Sequence, residues 1–229
     1  MRKGEAGWLA SAYSPYRYGV LFYTLLFTLG AAPLLSALHF TTDLLQILLA
    51  FSLLAALLGV PGQRWRILLM LLAAVAVGLR AAPSWLVAPG LSTGALVVGS
   101  GIALLAAASA IRFVLRTGAV DAEHVYAALS IYLLAGLFFG VVHWTIESAW
   151  PGSFGQGGDA GAGFSLSTAI YFSFVTLATL GYGDVVPKSE MARGVAVLEA
   201  VGGQLYVAVM IARLVGAHLQ GSGGPRPHA

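Results

Sequence analysis

The chain of 229 residues contains no cysteine. Disulfide bridges and thiolate metal sites are therefore excluded, and the redox compartment leaves no mark. Charge is also scarce: only 9% of residues are Asp, Glu, Lys or Arg, against 59% in the apolar set. Soluble chains carry about a quarter charged residues, so this one cannot cover itself with a water-facing surface. No block of basic residues offers a nucleic-acid footprint, and the net charge is only +3. Arg2 and Lys3 precede an apolar stretch, but that stretch, 19–38, begins too late and runs too long for a signal-peptide core. It reads as a retained helix.

What is present is long apolar runs. A helix needs ~20 mostly apolar residues to cross a bilayer. Windows at 19–38, 44–60, 65–82, 93–115, 125–146 and 191–216 meet that length, some loosely. Breaks fall at Pro33, Pro61-Gly62, Pro83, Pro89-Gly90 and Thr117-Gly118. Between the last two windows lie a glycine-rich loop, 151–163, and an apolar segment, 164–178, too short to cross. Such a segment suits a re-entrant helix. Six crossings put Arg2, Lys3, Arg17, Arg64, Arg66, Arg112, Arg116, Arg213 and Arg226 on one side, and Arg80, Lys188 and Arg193 on the other. The positive-inside rule then makes both termini cytoplasmic, with Trp144 and Trp150 near the outer interface.

The expected organisation is an all-α integral membrane protein with four parts. Residues 1–18 form a cytoplasmic segment, 19–118 a four-helix transmembrane domain, 119–216 a second domain of two crossings around the re-entrant segment, and 217–229 a cytoplasmic tail. The last part reads as loose chain.

The short segment ends in Thr176-Leu177-Ala178-Thr179-Leu180-Gly181-Tyr182-Gly183-Asp184. Gly-Tyr-Gly alone would arise by chance in roughly one such chain in seven; requiring Thr179 and Asp184 lowers that to about one in ten thousand. Gly181 and Gly183 permit backbone conformations that would aim successive carbonyls to one side, and Thr179 adds a hydroxyl. Non-helical backbone at membrane depth is tolerable where it lines a pathway.

Over Val125 to Gly216 the chain resembles the potassium-channel family, and most of all small prokaryotic six-helix members. The resemblance rests on the Thr-x-Gly-Tyr-Gly segment, on Val185-Val186-Pro187 after it, and on Gly203, nineteen residues beyond Asp184. It implies a homotetramer around one axial pore in the cell membrane, with K+ as permeant ion and no cofactor. It makes Thr179, Leu180, Gly181, Tyr182 and Gly183 the selectivity filter, with K+ held at Thr179 through Tyr182. Tyr171, Phe172, Thr176 and Asp184 become its support, and Gly202-Gly203 a hinge. Departures are Leu180 for the commoner Val or Ile, Ala178 for Thr, and Tyr171-Phe172 for two tryptophans. Phe172 cannot donate a hydrogen bond to Tyr182.

Weaker features have plainer readings. Glu199, inside the last apolar run, suits a brace between that helix and the short one, and Gln204 reads the same way. His143 and Glu147 share a helix face at i, i+4 spacing and form an outer-mouth pair. Asp43 suits a helix start beside Thr41 and Thr42. Arg80 snorkels to the interface. Three other functions compete. A less selective cation channel needs the same segment. A Gly-x-Gly-Asp intramembrane aspartyl protease would use Asp184, but Asp43, Asp121 and Asp159 offer no second intramembrane aspartate. A non-conducting sensor or scaffold would leave the intact glycines unexplained. No enzymatic role is expected.

Overall fold

A computed structural model describes residues 17–37, 50–57, 62–81, 89–116, 121–156 and 163–222. The helices are α1 (Arg17–Ala37), α2 (50–57), α3 (Gln63–Ala81), α4 (Pro89–Arg116), α5 (Ala122–Ala149), α6 (Leu166–Leu177) and α7 (Glu190–Ser222). Two short strands, β1 (Phe154–Gln156) and β2 (Val185–Pro187), flank α6. Asp43 and Asp159 lie outside the described residues, as does the side chain of Arg80.

Three of these helices are long and apolar enough to cross a membrane among the described residues: Gly94–Leu115, Ala122–Ala149 and Glu190–Arg213. The short α6 has 12 residues, which at ~1.5 Å each reach ~18 Å, well short of a ~30 Å hydrocarbon slab. Two boundaries differ from expectation. Helix α4 starts at Pro89, where the sequence suggests a break; proline fits the first helical turn because its missing N–H is unpaired there anyway. Helix α7 runs on to Ser222, through residues expected to be loose tail, and no proline interrupts it before Pro225.

Helix α5 is the hub. Helices α1 and α4 pack on it, as do α6 and α7. Leu21 and Leu25 of α1, Ala106 and Ala110 of α4, and Ile131 and Leu134 of α5 are buried in one apolar cluster. The start of α5 is fixed by Asp121, whose Oδ1 accepts from the His124 backbone N–H at 3.1 Å while the His124 ring reaches back to Asp121. The hydrogen bond from the His124 ring, with its Nδ1 2.6 Å from Asp121 Oδ1, holds the Asp121 carboxyl below its ordinary range, and the backbone N–H adds to it. The next residue but one, Glu123, reaches across to α1. Its two oxygens accept from the Tyr18 and Gly19 N–H groups at 3.0 and 3.2 Å, placing a carboxylate on the positive end of α1. Arg17 stacks over Tyr18 and Phe113, and Phe113 over His124, closing the same junction of α1, α4 and α5.

On the face of α5 turned to α6, glycines set the distance. A Cβ at Gly136 would lie 2.5 Å from the Phe174 ring, and one at Gly140 2.8 Å from the Ile170 Cα. The spacing Gly136-x-x-x-Gly140 is the small-residue pattern that lets two helix backbones approach closely in an apolar medium. The sequence reading did not pick it out, although it stands plainly within an apolar run.

Candidate functional site

The stretch from the end of α6 to β2 carries the chemistry. Helix α6 begins at Ser165, whose side chain accepts from the Thr168 N–H at 3.1 Å. It ends in a Schellman arrangement: Leu180 N–H donates to the Val175 carbonyl at 2.9 Å and Thr179 N–H to the Thr176 carbonyl at 3.0 Å. That motif requires a left-handed residue at the turn, and Thr179 fills it with φ 57°. Glycine is usual there; a β-branched residue is a steric outlier. The conformation then repeats at every second residue, with Gly181 at φ 60° and Gly183 at φ 78°. Sequence reasoning anticipated unusual φ at the two glycines and missed Thr179, because its Cβ argues against it.

Strain at Thr179 is of the order of 1–3 kcal/mol and persists only where its surroundings over-determine it. The surroundings are visible. Asp184 accepts from the Tyr171 hydroxyl at 2.7 Å and from the Val185 N–H at 3.0 Å. Strand β2 pairs antiparallel with β1, Gly155 opposite Val186. The turn into β1 is held by Glu147, which accepts from the N–H groups of Gly152 and Phe154 at 2.8 and 2.9 Å. Thr176 is half-buried, whereas Leu180, Gly181, Tyr182 and Gly183 are exposed on the single chain, Tyr182 by 66%.

The outer-mouth pair of His143 with Glu147 is corrected. His143 is fully buried and its Nε2 lies 2.7 Å from Glu199 Oε2. Glu147 serves the turn instead. The two residues share a helix but a buried carboxylic group competes for the imidazole more strongly than one at the rim. The other Glu199 oxygen bonds the Ser173 hydroxyl on α6, so Glu199 touches both α5 and α6. Phe172 is buried edge-to-face against His143 and Phe154. Gln204 lies exposed on α7. Gly203 abuts the end of α6, where a Cβ would lie 3.0 Å from the Leu177 carbonyl oxygen, while a Cβ at Gly202 would meet open space. A second tie joins α7 to α5, from the Tyr206 hydroxyl to the Ala128 carbonyl at 2.6 Å. Among the described residues no cluster of three or more Asp, Glu or His side chains could hold a metal ion.

Residues 127–218, which contain all of this geometry, match the family described as Ion channel. The similar curated proteins are more particular. The chain is 34% identical over 85 residues to Two pore potassium channel c of Oryza sativa subsp. japonica, covering 37% of this chain and 18% of that one. It is 40% identical over 57 residues to the Voltage-gated potassium channel Kch of Escherichia coli (strain K12), covering 25% and 14%. It is 34% identical over 83 residues to the Inward rectifier potassium channel Kirbac3.1 of Paramagnetospirillum magnetotacticum, covering 34% and 24%. The matches thus span under a quarter of each relative's length. Together they support membership of the potassium-channel family. No solved structure matches the chain.

Proposed function

We propose that the chain is the pore-forming subunit of a potassium-selective channel, a multi-pass protein of a prokaryotic cell membrane with six crossings and both termini cytoplasmic. The observation that carries this is the run of left-handed φ at Thr179, Gly181 and Gly183, every second residue after a half-length helix. Alternating hands turn successive carbonyls to one side of the strand, which is what replaces the water shell of a dehydrated cation. In this reading Thr179 to Gly183 are the filter, K+ sits at Thr179 through Tyr182, and the Thr179 hydroxyl is the innermost ligand. Tyr171, Phe172, Thr176 and Asp184 hold it, and the negative end of α6 favours a cation nearby. The channel needs no cofactor and has no enzymatic role.

A single strand of carbonyls cannot enclose an ion, so four chains close around an axis. The exposed Leu180 and Tyr182, and the apolar face of α7 at Val197, Leu198, Val201, Leu205 and Val209, suit burial in such a ring. The Gly202-Gly203 pair is the proposed bend of α7 on opening. Phe172 favours a second reading, a less selective cation channel, because it offers no hydrogen bond to brace Tyr182.

Purified full-length protein in liposomes should pass K+ far better than Na+ and be blocked by Ba2+. Equal permeability to both would favour the second reading. Absence of any cation flux, or a native mass below a tetramer in a conducting preparation, would overturn the first.

A further inference from the structure

Three side chains meet where α5, α6 and α7 converge: His143, Ser173 and Glu199, each fully buried. Glu199 Oε2 lies 2.7 Å from His143 Nε2, and Oε1 is bonded to Ser173 Oγ. The same Ser173 oxygen lies 2.7 Å from the Gly136 carbonyl. Hydrogens can be counted along this chain of contacts. A backbone carbonyl only accepts, an ionised carboxylate only accepts, and a serine hydroxyl has one hydrogen to give. Were Glu199 ionised, that one hydrogen would have to serve both Gly136 and Glu199, leaving one close oxygen pair with nothing between them. With a proton on Glu199 Oε1, both contacts become hydrogen bonds: Glu199 donates to Ser173, and Ser173 to Gly136. Oε2 is then free to accept from His143 Nε2–H.

The imidazole fits the same count. Its Nδ1 is buried and has no hydrogen-bond partner among the described residues, and its ring sits edge-to-face against Phe154 and Phe172. A bare nitrogen lone pair in that apolar setting costs less than the N–H of a buried imidazolium. The other titratable group within electrostatic reach of Glu199 is Tyr132, also on α5. Helix α6 presents the Ser173 hydroxyl and the Phe172 ring to the pair, and β1 presents the Phe154 ring.

We propose that His143, Ser173 and Glu199 form an uncharged hydrogen-bond relay, running from imidazole to carboxylic acid to hydroxyl to the Gly136 carbonyl, that positions α6 against α5 and α7. Ser173 stands six residues before Thr179. The relay therefore fixes the helix on which the proposed filter is built, and it adds no fixed charge behind it. The three are positioning residues, and this role rests on the channel reading; the proton count does not.

The test is infrared difference spectroscopy on full-length protein in liposomes at neutral pH, paired with permeability ratios. The wild type minus Glu199→Gln spectrum should contain the C=O stretch of a protonated carboxyl group. In Ser173→Ala that band should move to higher frequency, because the acid loses its acceptor. Glu199→Gln keeps a donor toward Ser173 and an acceptor toward His143, so it should hold the K+/Na+ permeability ratio within about twofold. Glu199→Ala, which strands the partners, should lower that ratio about tenfold. A spectrum showing only carboxylate bands at this position would overturn the relay. So would a Glu199→Gln protein as impaired as Glu199→Ala. A wild type that passes no K+ would sink the channel reading alone, since the infrared band still reports the proton.

Discussion

The region from Asp121 onward and the helices before it are built by different means. In the later region, polar groups tie one element to another: the buried or half-buried Glu199 to His143 and Ser173, Tyr206 to Ala128 and Glu147 to the turn before β1, and the exposed Asp184 to Tyr171. In helices α1 to α4 the described contacts are mostly apolar, with a buried hydroxyl pair between Thr28 and Ser52 and hydroxyls bonded back to their own helix. Polar attachment between the two regions concentrates at Glu123 and the Arg17, Tyr18, Phe113 and His124 stack. Apolar contacts are undirected and tolerate exchange, whereas hydrogen bonds fix an angle and a register. A segment that must hold left-handed φ at three alternate positions needs the second kind of support. The family match follows the same division, covering 127–218.

The contrast breaks first at Gly181. A side chain there would be forced to φ 60°, at a cost of roughly 1–2 kcal/mol per chain, which the proposed assembly of four would multiply. Gly181→Ala should abolish K+ flux in liposomes or erase its preference over Na+, while leaving the helices before residue 121 intact by proteolysis. Normal selectivity in this variant would detach the conformation from the function.

The next effect separates neighbours. Gly203→Ala would press a methyl group against the Leu177 side chain and carbonyl at the end of α6; Gly202→Ala meets nothing. The first should destabilise the assembly by about 1–3 kcal/mol and disturb conduction. The second should be neutral or stabilising by up to ~1 kcal/mol, as alanine favours helix. Thermal melts and flux on both variants would show the difference. If both alanines slowed opening equally with unchanged melts, bending of α7 would explain the pair better than close contact.

These cases also show what could be read in advance. Glycine at 181 and 183 is legible because a missing Cβ advertises positive φ. Thr179 hides the same conformation, since its need comes from the Schellman turn ending α6 and not from its side chain. Gly136 and Gly140 were legible as a spacing, but the partner that comes close, α6, is known only once the chain is folded. The tie between His143 and Glu199 crosses 56 positions, so local spacing offered Glu147 instead. Apolar length marked the helices well and their ends less well, as Pro89 and Ser222 show. Hydrophobic runs record burial; helix ends depend on caps and on how far good helix formers continue.

A smaller effect lies at the join. Asp121 caps α5, so Asp121→Ala should cost about 1 kcal/mol of stability. Its carboxyl is held below its ordinary range by the hydrogen bond from His124. The stabilisation is therefore complete above the ordinary carboxylate value of ~3.9 and fades as the pH drops through the lower folded value. Melting temperatures of the two proteins should differ at neutral pH and converge only in strong acid. High salt should shrink the charge-dependent part, because the side chain is 69% exposed. A constant gap down to strong acid would mean that the carboxylate charge contributes nothing.

The smallest expected effect is none, and it concerns the earlier region. In the place of a voltage sensor, α4 holds only uncharged residues (Gly, Ala, Val, Leu, Ile and Ser) after Thr93 until Arg112, with Arg116 four residues on. A steep sensor needs three or four charges per subunit, each contributing ~2.3 kcal/mol per 100 mV. Arg112 is exposed near the end of the helix, a setting that suits an anchor at the cytoplasmic interface. Helix α3 offers no carboxylate to receive a moving arginine: Gln63–Ala81 contains neither Asp nor Glu. With so little charge to move, the field has little to act on, and gating would come from another stimulus, such as lipid, pH or an accessory subunit. Conductance–voltage curves in planar bilayers should be shallow, and Arg112→Gln should leave them unshifted. A steep curve that flattens on neutralising Arg112 and Arg116 would make the earlier helices a sensor after all, and would end the division drawn between the two regions.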